Sequence, residues 1–235
     1  MPATEIYDPE LGDIQITPRR STSRISARWR DGHLLVITPY GVSRARILEA
    51  IEAMRPRLLP GKPQPMFEIG RPLHLDGPYT YYLEHTSLTS GRITAHPVAA
   101  GMALRISSDL IPGTPQTDTA ISRLMIRTAH CAATAIILPR ARELAHSLNL
   151  EVREWAISHG RRTLGTCTRD RRISLSSLLL FLPAHLRDYI IYHELAHLTE
   201  MNHSARFHRL CDAYCSGREA ELIKELRTYR WPILR

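Results

Sequence analysis

Three histidines and two glutamates, Glu194 and Glu200, fall within the eleven residues HELAHLTEMNH, positions 193 to 203. Residues four apart on a helix are neighbours on one face, so His193 and His197 would present their rings side by side to one ion. Glu194 sits about 100° round the helix from His193, near the ion yet outside its ligand set, where a carboxylate can take a proton from water. Two imidazoles alone make a poor catalytic zinc site, and three protein ligands with a fourth position open to water is the usual tetrahedral solution. His203 is the nearest third ligand, provided the helix ends near Met201 or Asn202 and the chain turns back. The competing reading is an amphipathic helix whose histidines are merely half buried. The joint occurrence of Glu194 and His203 weighs against it in a chain with 12 histidines.

Other metal-ligating types carry weaker patterns. His208, one turn beyond His203, reads as a solvent-facing helix residue or an outer partner of the site. His130, His159 and His185 have no ligand spacing. The four cysteines read as reduced thiols, and Cys211 and Cys215, spaced i and i+4 without a CxxC knuckle, as small core residues rather than ligands.

The elements that must position these residues follow from periodicity and caps. Pro183 stands where a helix start tolerates proline, and AHLRDYIIYHELAHLTEM has no breaker, so one helix is expected over about 184–201, ended by Asn202 in a left-handed turn. Ser204 caps a following helix, and a third is expected over about 218–230, before Pro232. Upstream, RISARWRDGHLLVIT (24 to 38) reads as a hairpin turning at Asp31 and Gly32 that opens the fold. Ser43 caps a helix with Ile47, Ile51, Met54 and Leu58 at helical spacing, stopped by Pro60, and PGKPQP reads as a linker. Short aromatic or β-branched stretches over 67–108 predict a small antiparallel sheet. A helical pattern over 119–147, bent at Pro139, is followed by strands at LEVREWAIS and RRISLSS. A domain boundary is expected near 115, with no internal repeat.

Bulk properties bound the setting. A chain of 235 residues, 43% hydrophobic, can bury one good core or two small ones. Its start is acidic and unlike a secretory signal, and no uninterrupted apolar run reaches the roughly 20 residues of a membrane span, so a cytoplasmic protein with no membrane partner is expected. The net charge is +8, and all basic residues but Lys62 and Lys224 are arginine. These are spread along the chain, with a denser run at 161 to 172, a weak indication of contact with nucleic acid.

The segment from about 140 to 235 resembles the YgjP-like metallopeptidase domain, a relative of the SprT-like and WLM proteases among the zincins. RRTLGTC, ISLSSLLLFLP, DYIIYHELAHL and NHSARF stand in the order of that family's edge strand, following strand, HExxH helix and Asn-His-Ser-x-x-Phe run. The chain departs from the family pattern at Leu164 (usually Trp), Thr166 (usually Ser) and Ser176 (usually Asn, after Leu175), positions that bear on the substrate groove rather than the metal motif. The resemblance implies an α+β fold: a strand-rich region with one helix over 1–115, then a zincin-like metallopeptidase domain over 116–235. It also implies His193, His197 and His203 as ligands of one Zn2+ per chain, Glu194 as the general base, and a peptide or protein as substrate. The strand around 172–178 is expected to bind that substrate by edge pairing, with Arg206 or Tyr192 steadying the oxyanion. The alternatives are a SprT-like DNA-associated protease and a non-catalytic metal-binding scaffold.

Overall fold

The structure is a computed structural model that describes residues 4–30, 33–62, 66–160 and 162–234. The chain forms two compact units, Met1–Met66 with Gly113–Pro115, and Phe67–Pro112 with Gln116–Arg235.

In the first unit, strands β1 (Thr4–Asp8), β2 (Gly12–Pro18), β3 (Ser26–Arg30) and β4 (His33–Thr38) precede helix α1 (Arg44–Leu58). β3 and β4 pair antiparallel as expected, although their connecting residues 31 and 32 lie outside the described ones. That hairpin does not open the fold. β1 and β2 form an earlier one, whose turn is held by the Asp8 carboxylate accepting from the N–H groups of Glu10 and Leu11. The alternation of Ile14 and Ile16 points β2 inward. α1 begins where Ser43 Oγ accepts from the Arg46 N–H, and it lays Ile47, Ile51 and Leu58 on Ile14, Ile16, Leu34 and Val36. Of the expected linker, Leu59–Gly61 is a 3-10 turn, while residues 63–65 lie outside the described ones.

The second unit starts with β5 (Leu73–His74), β6 (Thr80–Thr86), β7 (Ile93–Val98) and β8 (Gly101–Ser107), then the 33-residue α2 (Pro115–Ser147). The sheet is mixed rather than purely antiparallel, because β6 and β8 run parallel at its centre. Gly101, at φ +153°, permits that pairing, since a Cβ there would overlap the Thr80 carbonyl. The strand order β5-β6-β8-β7 repeats the β1-β2-β4-β3 order of the first unit, and a helix follows each. By length and composition alone α2 could cross a bilayer; half of its most apolar window is buried, as in a core helix.

The elements that carry the site come last: β9 (Glu154–Ser158), β10 (Gly165–Cys167), β11 (Arg172–Ser176), α3 (Ala184–Ala196), α4 (Ala205–Tyr214) and α5 (Glu219–Thr228). The three strands are ordered β10-β11-β9, with β10 antiparallel and β9 parallel to β11. This corrects the expected substrate edge: β11 is flanked on both sides, β10 and β9 are the edges, and β10 is the edge beside the site. A short 3-10 stretch, Ser177–Phe181, leads from β11 to α3 and is wholly buried. Ile173, Leu175, Leu178, Leu179, Leu180, Ile191 and Leu195 share one core with Met125, Ile137 and Ala141 of α2. Arg140 on α2 also grips Asp188 on α3 at 2.7 Å. At the start of α3 the Asp76 carboxylate accepts from the Ala184 N–H.

α3 stops at Ala196, five residues before the expected end. The backbone tightens there: the N–H of Leu198 donates to the Leu195 carbonyl and that of Thr199 to the Ala196 carbonyl, i to i−3 bonds characteristic of a terminal 3-10 turn. Asn202 does not adopt the left-handed conformation; among the described residues the non-glycine ones that do are Asn149, Arg171 and Ser216.

Candidate metal centre

α3 presents His193 and Glu194 and ends on His197. The turn that follows returns the chain so that His203, just before the Ser204 cap of α4, comes back to the end of α3. The ligand nitrogens of His193, His197 and His203 all lie within 4.8 Å of one another, and Nε2 of His193 and Nε2 of His203 are 3.1 Å apart. Two nitrogens at zinc distance from one ion stand no more than about 4.2 Å apart, so small side-chain rotations would complete a three-nitrogen set. The expected condition, a turn back after the helix, is therefore met earlier in the chain than the pattern implied.

Neighbouring groups orient the rings. His197 is buried, and its Nδ1 lies 3.1 Å from the Glu200 carbonyl, which fixes Nδ1 as the donor and leaves Nε2 with a free lone pair. Phe207, fully buried on α4, lies beneath all three imidazoles with ring centroids 4.8, 4.5 and 4.7 Å from His193, His197 and His203. Burial, with help from His197 and His203, holds the His193 pKa down at about 4. Burial likewise lowers that of His197. Both are therefore neutral near pH 7, the form that coordinates a cation.

Glu194 is 5% exposed, and its carboxyl makes no hydrogen bond or ion pair among the described residues. Burial pushes its pKa up to about 8. A buried carboxyl without a partner beside three imidazoles fits a nearby cation, whose charge would favour the ionised form. A cavity of about 300 Å³ opens over the cluster, walled by Gly165, Thr166 and Cys167 of β10 together with the histidines, Glu194 and Met201. Burial, with Glu194 adding to it, raises the Cys167 thiol to about 11, so it stays protonated at neutral pH.

Arg206 and Tyr192 are not at the centre. The Arg206 side chain is 66% exposed and 4.0 Å from Glu200, and Tyr192 packs against Tyr214. His208 is outside the nitrogen cluster, and its Nδ1 lies 2.9 Å from the nearly buried Glu219 carboxylate. His185 pairs with Glu225, and His130 stacks on His159. All four cysteines are free, with Cys211 and Cys215 buried. Three residues beside the cluster were given no role from the sequence. Tyr189, one turn before His193 on the same helix face, stood within DYIIYHELAHL, and Gly165 within RRTLGTC. Glu219 had no signal, because only the fold brings it to His208.

An α+β domain with a three-histidine cluster at the end of a helix and an edge strand alongside defines a metal-dependent enzyme class. The sequence profile of the YgjP-like, metallopeptidase domain matches residues 23–228, and the chain belongs to this family of metallopeptidases. Two solved structures are similar. The metallopeptidase zymogen jannalysin of Methanocaldococcus jannaschii has 22% identity over 38% of this chain and 96% of its own, with a TM-score of 0.31. The zymogen abylysin of Pyrococcus abyssi has 20% identity over 39% and 96%, with a TM-score of 0.32. No curated protein matches the chain.

Proposed function

We propose that the protein is a zinc-dependent peptidase in which His193, His197 and His203 hold one Zn2+ and Glu194 is the general base. The observation that carries this reading is the convergence of three histidine nitrogens, within 4.8 Å, beside a buried and unpartnered carboxyl. When bound, zinc supplies Lewis acidity, polarising a carbonyl and lowering the pKa of water at its open position to about 7. Glu194 would take a proton from the attacking water and pass it to the leaving amine.

Substrate binding falls to β10. Leu164, Thr166 and Thr168 turn their backbone groups towards β11, as the bonds Ser176 N–H to Leu164 O and Thr168 N–H to Arg172 O require. By alternation, Gly165 and Cys167 turn theirs to the open edge. An extended peptide pairing there runs along the cavity that holds Glu194, with affinity from backbone bonds rather than from sequence. We place this activity in the cytoplasm, in keeping with four free thiols.

Elemental analysis with a turnover assay on an unfolded protein tests the reading. Wild type and Glu194→Gln should each carry one zinc per chain, His203→Ala little, and only wild type should cleave. A His203→Ala protein with a full equivalent of zinc would show the third ligand to be misassigned.

A further inference from the structure

A second depression adjoins the metal cavity. It measures about 410 Å³ against about 300 Å³, and the two share Gly165, His193 and Glu194 in their walls. Its remaining walls come from the N-terminal side of β10, the turn of α3 before His193, and α5. Leu164 precedes β10, Tyr189 and Ile190 lie one turn before His193 on α3, and Ile223 and Leu226 come from α5. All five pack on the main core, and Leu164, Ile223 and Leu226 are only partly buried, so apolar surface lines an open hollow. Polar groups stand at its rim. His208 is tied to Glu219, and Arg227, exposed, forms no ion pair among the described residues.

We propose that this hollow is the side-chain pocket that sets cleavage preference, accepting a bulky apolar residue, aliphatic or aromatic, adjacent to the scissile bond. The inference rests on the peptidase reading above. A carbonyl placed over the histidine cluster leaves the neighbouring side chain of the same peptide beside Glu194 and Gly165, at the wall the two cavities have in common. Apolar walls repay burial of a Leu- or Phe-sized group, while a carboxylate would lose its hydration there without a buried partner. Leu226 and Ile223 are the specificity-determining residues, because α5 supplies apolar wall to the hollow and none of the three histidines.

Binding of acetyl-amino-acid hydroxamates bearing Gly, Leu, Phe or Asp side chains to the zinc-loaded full chain, followed by calorimetry, tests this without requiring turnover. The Leu and Phe compounds should bind roughly 10- to 100-fold more tightly than the Gly compound, and the Asp compound no better than Gly. Leu226→Trp, which fills the hollow, should bring Leu and Phe down to the Gly affinity. Leu226→Ala, a milder change, should weaken Leu more than Phe. Equal affinities for all four, or a preference for Asp, would overturn the pocket while leaving the metal centre intact. Failure of every hydroxamate to bind would overturn the metal-centre reading and the pocket with it. Cleavage-site profiling of an unfolded protein should show the same apolar preference, altered in the same way by Leu226→Trp.

Discussion

A Cβ added at Gly165 would stand 2.5 Å from Oε1 of Glu194, 2.6 Å from its Cγ and 2.7 Å from its Cδ. The edge strand and the carboxyl are thus in contact only because residue 165 has no side chain. Its backbone does not demand glycine for conformational reasons, as Gly165 is not among the positive-φ glycines. The substitution Gly165→Ala should therefore fold and keep its zinc, but displace the carboxyl. A displacement near 1 Å lowers turnover on the order of 100-fold. Parallel measurement of kcat and zinc content checks this, and a Gly165→Ala enzyme with wild-type kcat would remove any need for the contact.

Phe207 supports three imidazoles at once, so its removal should act on both fold and metal. Phe207→Ala deletes a fully buried ring and should cost about 3–5 kcal/mol in stability. Zinc affinity should fall about 10- to 100-fold as the rings lose their common support. Denaturant unfolding and zinc titration against a chelator measure the two effects. Phe207→Leu, which keeps most of the volume, should show a smaller loss of each.

The metal-free protein should become less stable as pH rises from about 6.5 to 8. The folded-state pKa of Glu194 is raised to about 8 against 4.5, so its contribution is full at low pH and is lost as pH climbs through 8. His193 acts oppositely, since its folded value is depressed to about 4 from 6.5, and it costs stability only as pH falls below 6.5. Between about 4.5 and 6.5 the slope of His193 opposes that of Glu194, and His197, also depressed, adds to the opposition, which leaves Glu194 above that range. The expected decline is about 2 kcal/mol over 6.5 to 8, and Glu194→Gln should flatten it. Urea unfolding of the chelated protein at several pH values would show this, and an unchanged slope in the Gln variant would assign the effect elsewhere.

Zinc should stabilise the protein by linkage, because the three nitrogens meet only in the folded chain. At free zinc a hundredfold above Kd the gain is about 2.7 kcal/mol, enough to raise Tm by several degrees. Chelation should reverse it, and His193→Ala should show no zinc-dependent shift at all.

The contrast between local and distant information runs through the structure. The caps at Ser43 and Ser204, the buried spacing of Ile47 and Ile51, and the helical placement of His193 and Glu194 were all legible in the sequence, because helix formation depends on residues within a turn of one another. The HExxH helix followed from the same local signals, whereas the fold class came from the family resemblance of the motifs. What tertiary structure alone decided are the pairings made across distance. Parallel contacts of β2 with β4 and of β6 with β8 build two similarly ordered sheets that no sequence repeat announces. The same holds for β10 rather than β11 as the open edge, since a strand's neighbours are chosen by chain topology and not by its own residues. α3 ends at Ala196 although its sequence could continue, as the chain tightens into a turn that bonds His197 to the Glu200 carbonyl. Gly165 against Glu194 and Phe207 under the histidines belong to this second kind. Each is a steric fit between segments whose proximity exists only once the core has formed.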